Sequence, residues 1–304
     1  MDSNERKHAY VLVTAARNEE AFIEKTIAAV ISQTLPPKKW VIVSDGSVDN
    51  TDRIVQGYAE RNQFIELLRI EESQARDFAS KVHALAAGLE RLRGSDYEFV
   101  GNLDADVSFD GSYFHSLLGR FNRDPGLGLA GGFIYERHST GFRIRFGDSV
   151  RSVAGAVQLF RRECFESVGG MLPLKYGGED WYLEVMARMK EWRVKSFPEL
   201  VVFHHRPTGA GTGPLKYHFG QGLTDYSLGD HPLFVLAKCA RRFRAKPYVS
   251  AGLARLAGFI WANWRREARP VSKEFVEFLR GERKQHLRDF LTSLPGVVAR
   301  SYPV

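Results

Sequence analysis

Cysteine is scarce in this 304-residue chain: there are two, Cys164 and Cys239, far apart and without partners at metal-ligand spacing. That excludes a disulfide framework and a thiolate metal cluster, and a reducing compartment is the expectation. No uncharged apolar run reaches the roughly 18–20 residues that cross a bilayer. The opening residues, Met1 to Lys7, are polar, so no signal peptide is expected. Glycine-rich phosphate loops are missing too. No Gly-x-Gly-x-x-Gly follows the first apolar run and no Gly-x-x-x-x-Gly-Lys-Ser/Thr occurs. A dinucleotide-binding fold and a P-loop are therefore poor readings; a phosphate would have to be met by a metal and by basic side chains. Acid is scarce near the C-terminus. Residues 236–304 hold 15 Lys/Arg against 5 Asp/Glu, a net of +10, while residues 1–235 hold 28 against 31, a net of −3. A basic tail on a near-neutral body points to an anionic partner. Nucleic acid is disfavoured, because no recognised reader motif accompanies the charge.

What is present is an alternation. His8 to Thr14 is rich in strand formers. Phe22, Ile23, Ile27, Val30 and Ile31 then recur at helical spacing until Pro36-Pro37. Trp40 to Val43 is a second strand, Ile54, Val55 and Tyr58 mark a second helix, and Phe64 to Ile70 is a third strand. A helix from Phe78 to Arg93 leads into a fourth strand, Phe99 to Leu103. Such a β-α-β series implies right-handed crossovers and a mostly parallel sheet flanked by helices. The length suits one large α/β domain with an appendage.

Several of these strands end in polar side chains: Asn18 and Glu19 after the first, Asp45 after the second, Asp104 and Asp106 after the fourth. In an open parallel sheet, ligands bind beyond the carboxyl ends of the strands. Two carboxylates one residue apart in such a crevice call for a cation, and hard oxygen ligands suit Mg²⁺ or Mn²⁺. Further on, Gly177-Gly178-Glu179-Asp180 precedes a helical pattern carrying Trp181, Val185 and Met189. The plain reading of those acids is a helix N-terminus with charge on the positive end of its dipole. A later strand, Leu200 to Phe203, ends in His204-His205-Arg206; adjacent strand residues face opposite sides, so one histidine of the pair can point into a site.

Taken together, Thr14-Ala15-Ala16-Arg17-Asn18-Glu19, Val43-Ser44-Asp45-Gly46-Ser47-Val48-Asp49-Asn50-Thr51, Lys81 with Gly88, Asp104-Ala105-Asp106 and the Glu179-Asp180 pair resemble the successive motifs of family 2 glycosyltransferases. The resemblance covers roughly residues 8–205. It implies an inverting enzyme with a GT-A fold, a Rossmann-like sheet, and a UDP-sugar as the expected donor. It also implies roles. Thr14, Arg17, Glu19, Asp45, Lys81 and Asp104 would hold the nucleotide sugar, with Asp45 at the base edge and Asp104 facing the ribose. Asp106, with Asp104 and His204, would hold the metal. Asp180 would take the acceptor proton and Glu179 would orient it or bind acceptor, the two roles being interchangeable. Thr14 and Arg17 stand where the family usually has Pro and, nearby, Tyr, and Ser44 stands where it often has a second acid. The processive members' Gln-x-x-Arg-Trp is absent, so addition of a single sugar is expected.

The expected organisation is a catalytic domain over residues 1–224, with a donor half at about 8–106, an acceptor half at about 107–206 and a flexible glycine-rich loop at 207–224. In that loop Lys216, Tyr217 or His218 would reach phosphate, an ordinary linker being the equal alternative. Residues 225–304 form a basic helical appendage. In it Tyr248 to Trp264 is apolar apart from Arg255, Trp261 and Trp264 close the run, and Arg265-Arg266 follow. After Ser272, Phe275, Phe278, Leu279, Leu287, Phe290 and Leu291 fall on one side of a further helix. Basic flanks, interfacial tryptophans and a short apolar run suit helices lying on an anionic membrane; a bundle packed on the catalytic domain is the alternative. The expected acceptor is a saccharide or a polyprenyl-linked molecule in bacterial envelope or exopolysaccharide synthesis. The expected place is the cytoplasm, peripherally on the inner face of the membrane. Competing readings are a nucleotidyltransferase and a non-catalytic carbohydrate- or lipid-binding module. The first lacks its basic glycine-rich loop, and the second would not need Asp104, Asp106 and Asp180.

Overall fold

The computed structural model describes residues 9–70, 78–209, 213–242 and 248–293. The polar leader and His8, residues 210–212 of the glycine-rich stretch, and Phe243 and Arg244 of the tail lie outside the described residues, as do the side chains of Leu287, Phe290 and Leu291. The chain divides into two compact units, Met1–Gly213 and Pro214–Val304.

In the first unit β1 (Tyr10–Ala16), β2 (Lys39–Asp45), β3 (Ile65–Ile70) and β4 (Phe99–Leu103) lie parallel in the order β3-β2-β1-β4. They are joined by α1 (Ile23–Ile31), α2 (Thr51–Ala59) and α3 (Phe78–Arg91). Side chains alternate across a strand, so each face of the sheet has its own core. Tyr10, Leu12, Trp40 and Ile42 pack with Ile23 and Ile27 of α1. Val11, Val13, Val41 and Val43 pack with Ala84 and Leu85 of α3. Burial on both faces explains the unbroken apolar runs. Gly88 is required by this packing: a Cβ there would lie 2.5 Å from Val13 and 2.9 Å from Val43.

Beyond β4 the sheet becomes mixed. After β5 (Val107–Phe109) and α4 (Tyr113–Arg123) come β6 (Leu127–His138), β7 (Gly141–Ile144), β8 (Val157–Arg161), α5 (Arg162–Ser167), α6 (Glu179–Met189) and β9 (Arg193–His204). The order continues β4-β8-β6-β9-β5, with β7 hairpinned onto β6. β8 runs antiparallel to both β4 and β6, and β9 is parallel to β6. Two reversals restore the original sense. The C-terminal ends of β1, β2, β4, β6 and β9 therefore share one edge, and the polar residues collect there.

The second unit holds α7 (Pro214–Ser227), α8 (Pro232–Arg242), α9 (Tyr248–Trp264) and α10 (Lys273–Ser293). The flexible loop expected over 207–224 is thus helical from Pro214 onward. Gly222 serves contact rather than mobility. A Cβ at Gly222 would run into the backbone of Arg255 and Phe259, and one at Gly258 into that of Phe219, so this glycine pair lets α7 and α9 touch. His218 is buried, at hydrogen-bonding distance from Gln221 (2.9 Å) and Arg242 (3.2 Å), instead of reaching for phosphate. No helix among the described residues is long and apolar enough to cross a membrane.

Candidate active site

The loops after β1 and β2 are laced together by short side chains. Asn18, in the left-handed region with φ 55°, accepts the Val48 N–H at 2.9 Å and donates its own N–H to Ser47 Oγ at 3.2 Å. The Glu19 N–H donates to Thr51 Oγ1 at 2.7 Å, and the Glu20 N–H to Asp49 Oδ2 at 3.0 Å. Asp49 Oδ1 also accepts from the Thr51 N–H at 3.0 Å, just ahead of α2. Behind this rim lies a cleft of about 450 Å³ lined in part by Arg17, Asn18, Glu19, Asp45, Ser80 and Lys81. That volume suits a small-molecule site. Arg17 reaches Asp45 Oδ2 at 3.4 Å.

Beside the cleft, β4 and β9 deliver the acidic centre. One oxygen or nitrogen from each of Asp104, Asp106 and His204 lies within 4.8 Å of the others. Asp106 is buried, its Oδ1 3.0 Å from His204 Nε2 and its Oδ2 3.0 Å from Arg206 Nε. Burial alone would raise the Asp106 pKa, but His204 and Arg206 outweigh it and hold the carboxyl below its usual range. For His204 burial works the other way, and the neighbouring Asp106 overrides it to raise the pKa. Arg206 also pairs with Glu19 Oε1. The other Glu19 oxygen is buried without a hydrogen-bond partner, and burial, helped by Asp106 and Asp104, pushes this carboxyl up despite Arg206. Lys81 meets Asp104 at 2.7 Å. Burial disfavours the Lys81 charge, yet Asp104, Glu179 and Asp180 raise its pKa.

Two carboxylates and an imidazole at this spacing fit a divalent cation such as Mg²⁺ or Mn²⁺. His204 Nδ1 is buried and unbonded among the described residues, so its ring is not committed on both sides.

The N-terminus of α6 closes the site. Gly178, φ 96°, lets the chain turn into the helix at Glu179 and Asp180. Glu179 feels Lys81, Asp180 and Asp104; burial dominates and raises its pKa. Asp180 packs on the backbone of Gly155, where a Cβ would stand 2.8 Å from Asp180 Oδ2. The segment under it is bolted from three sides. Asn102 Nδ2 donates to the Gly155 carbonyl at 3.1 Å, Ser196 Oγ to that of Ser152 at 2.6 Å, and the Asp104 N–H to that of Ala156 at 2.9 Å. One turn along α6, Glu184 Oε1 accepts from the Val153 N–H and from Ser152 Oγ, both at 3.0 Å. Burial, with Arg188 opposing and Asp180 assisting, pushes the Glu184 pKa up to about 8.

The structure brings Arg17, Glu19, Asp45, Lys81, Asp104, Asp106, His204, Glu179 and Asp180 to one edge of the first unit. Thr14 is the exception among the expected residues. It is fully buried and its Oγ1 accepts the Trp40 indole N–H at 2.9 Å, which makes it a core bond between β1 and β2 and not a nucleotide contact. Sequence reasoning passed over Arg206 and Glu184. Arg206 carried a signal: it directly follows the His204-His205 pair at the end of β9. Glu184 carried none, since a charge mid-helix reads as a solvated face.

The sequence pattern described as Glycosyl transferase family 2 matches residues 11–169. Over 118 residues the chain is 31% identical to the poly-beta-1,6-N-acetyl-D-glucosamine synthase of Staphylococcus aureus (strain COL), and 30% identical to that of Staphylococcus epidermidis. These stretches cover 39% of this chain and 26% of each relative, so the chain spans about a quarter of the length of the curated relatives it matches. Two solved structures are similar over most of the chain. The mannosyltransferase PcManGT from Pyrobaculum calidifontis, in complex with GDP-Man and Mn²⁺, gives a TM-score of 0.53 at 19% identity, covering 93% of this chain and 83% of that one. S. aureus TarS 1-349 in complex with UDP-GlcNAc gives 0.54 at 14% identity, covering 94% and 82%. At these identities the likeness is one of fold, the GT-A type.

Proposed function

The chain belongs to glycosyl transferase family 2, and from that premise we propose that it moves a sugar from a nucleotide sugar to an acceptor hydroxyl, with metal assistance and inversion. The observation that carries the reading is convergence: a candidate cation triad, a cleft with basic and acidic walls, and a separate carboxylate pair share one sheet edge. The proposed donor is a UDP-sugar, its nucleoside part between Arg17 and Asp45. Support for a nucleotide sugar comes from the solved neighbours, which hold UDP-GlcNAc and GDP-Man.

A divalent cation held by Asp104, Asp106 and His204 would neutralise the departing diphosphate. The chain's own groups do the rest. Arg206 holds Asp106 ionised and aims its second oxygen. Lys81 pairs with Asp104 at 2.7 Å and adds positive charge at the cleft. Asp180 accepts the acceptor proton, since a sugar or lipid hydroxyl is a weak nucleophile at neutral pH. Gly155 fixes Asp180, and Glu179 beside it binds or orients the acceptor. One base facing away from the leaving group gives single displacement with inversion. The proposed acceptor is a saccharide or polyprenyl-linked molecule in envelope or exopolysaccharide synthesis, met at the inner face of the membrane through the basic C-terminal unit.

A panel of nucleotide sugars incubated without acceptor tests the reading. Release of free nucleoside diphosphate should depend on Mn²⁺ or Mg²⁺ and stop with chelator. Asp106→Ala should weaken donor binding by about tenfold or more. Equal donor affinity in wild type and Asp106→Ala would sink the metal assignment.

A further inference from the structure

α1 begins at one part of the candidate site and reaches another. Its first turn hangs from Glu19, whose carbonyl accepts the N–H groups of Phe22 and Ile23 at 2.9 and 2.8 Å. Just beyond that turn comes Thr26, which is fully buried. A mid-helix threonine ordinarily returns its hydroxyl to the carbonyl one turn back or faces solvent. This hydroxyl is spent across the fold, on residues 79 and 81 positions away. Thr26 Oγ1 lies 2.8 Å from the Ala105 carbonyl and 2.8 Å from the Val107 carbonyl, which share its one hydrogen, and it accepts the Val107 N–H at 3.1 Å.

These contacts bracket Asp106. The peptide before its Cα is held through the Ala105 carbonyl, and the peptide after it through the Val107 N–H. That second peptide is tied at its other end as well: the Asp106 carbonyl accepts the His205 N–H at 2.9 Å, and Val107 pairs with His204 across β5 and β9. Peptide groups are planar, so holding both of them fixes the dihedrals at Asp106 and the direction in which its carboxylate leaves the chain. Asp104 is fixed separately, its N–H donating to the Ala156 carbonyl at 2.9 Å. A second clasp, of the same kind, follows α1. Gln33, 6% exposed, donates from Nε2 to the Asp110 carbonyl at 2.8 Å and accepts the Phe114 N–H at 3.0 Å. It grips the chain beyond the acids, whereas Thr26 grips it around one of them.

We propose that Thr26 is a positioning residue for the divalent cation: its hydroxyl holds Asp106 where that carboxylate can ligate together with Asp104 and His204. The inference rests on the metal reading of the site. Thr26 touches neither ion nor substrate and acts through Asp106 alone. Orienting groups behind a ligand set how well the ligand binds.

Mn²⁺ binding to the full chain, followed by the electron paramagnetic resonance of the free ion with no nucleotide present, tests it. Thr26→Val keeps the shape and removes the hydroxyl, Thr26→Ser keeps the hydroxyl, and Gln33→Met cuts the second clasp. Thr26→Val should weaken Mn²⁺ binding by about tenfold and shrink the rise in melting temperature that Mn²⁺ produces, a shift read within each variant. Thr26→Ser should stay close to wild type. Thr26→Cys, with a weaker donor and acceptor, should fall between them and gives the reading if the valine chain does not fold. Gln33→Met should lower the melting temperature without the ion and keep wild-type Mn²⁺ affinity. Wild-type affinity in Thr26→Val and Thr26→Cys would overturn the proposal. Equal weakening in Gln33→Met would do so too, since both changes would then act through stability alone. A wild-type chain that leaves Mn²⁺ free would defeat the metal reading and the proposal together, which separates the two failures.

Discussion

The two units use charge in opposite ways. In residues 1–213 the sheet interior is apolar, and the acids that matter collect at its edge around a cleft. In residues 214–304 the charges turn inward. Asp225, 5% exposed, receives both Nε (2.6 Å) and Nη2 (2.8 Å) of Arg255 and the Lys238 ammonium at 2.8 Å. Asp230 pairs with Lys238 and, at 3.4 Å, with Arg283. Burial works against the Asp225 charge, but Lys238 and Arg255 outweigh it and hold its pKa far below normal. One row of apolar side chains, conversely, is turned out: Val249, Leu253, Ile260 and Trp264 of α9 are 50%, 55%, 56% and 76% exposed. Carboxylates gathered at a sheet edge beside a cleft suit chemistry, whereas those paired between helices fix how helices meet.

Breaking each kind of carboxylate should therefore have a different readout. Asp180→Asn should lower transfer by about 10²–10⁴-fold, the usual contribution of a general base, with donor affinity and melting temperature near wild type. A comparable loss of donor affinity would show that Asp180 is not reserved for the acceptor. Asp225→Ala should do the reverse. It strands the buried Arg255, Lys238 keeping Asp230, so unfolding free energy should drop by about 3–5 kcal/mol, read by denaturant titration, and nucleoside diphosphate release per folded molecule should hold. Normal stability in Asp225→Ala would dissolve the contrast between the units.

That contrast also explains what could be read from the sequence. Strands such as Trp40 to Val43 announce themselves because burial on both faces demands unbroken apolar runs. The edge acids announce themselves because polar residues following such runs have nowhere else to go. Thr14 was misread because motif position says nothing of which way a β1 side chain points; its hydroxyl is consumed by Trp40. Residues 214–224 were misread because glycine at a helix–helix contact and glycine in a hinge look alike in sequence, and Gly222 is the former. The +10 tail was overcounted as an outward-facing surface, since Lys238, Arg255 and Arg283 are counter-charges to internal aspartates. In each case the missing information is a partner distant in sequence.

Glu184 sharpens the comparison, being a buried carboxylate of the second kind inside the catalytic unit. Its pKa is raised to about 8, mainly by burial. The folded chain therefore holds a proton there that the unfolded chain releases near its ordinary carboxylate pKa. The associated stability is present in full at acid pH and is lost as pH climbs through the interval up to about 8. Glu184→Gln keeps an acceptor for the Val153 N–H and removes the titration. Denaturant titrations at pH 5 and pH 8 should show wild type losing on the order of a few kcal/mol more than the variant. Parallel losses would mean that Glu184 is ionised in the fold throughout.

The smallest effect belongs to the outward face of α9. Val249, Leu253, Ile260 and Trp264 recur at helical spacing along one side, and the helix's single charge, Arg255, is turned inward onto Asp225. Apart from Ser250 and Asn263, the strongly exposed side chains of α9 are apolar, with Arg265 and Arg266 exposed just beyond the tryptophan, a face suited to lie at the boundary of an anionic bilayer. Leu253→Asp with Ile260→Asp should cut co-sedimentation with phosphatidylglycerol vesicles by about tenfold or more, because each forgoes about 1.5–3 kcal/mol of apolar burial. Melting temperature should hold, since both side chains are exposed in the fold. Vesicle binding that survives the double change would return α9 to the same class as the catalytic unit's helices. A fall in melting temperature would do the same, implying that the face packs against protein.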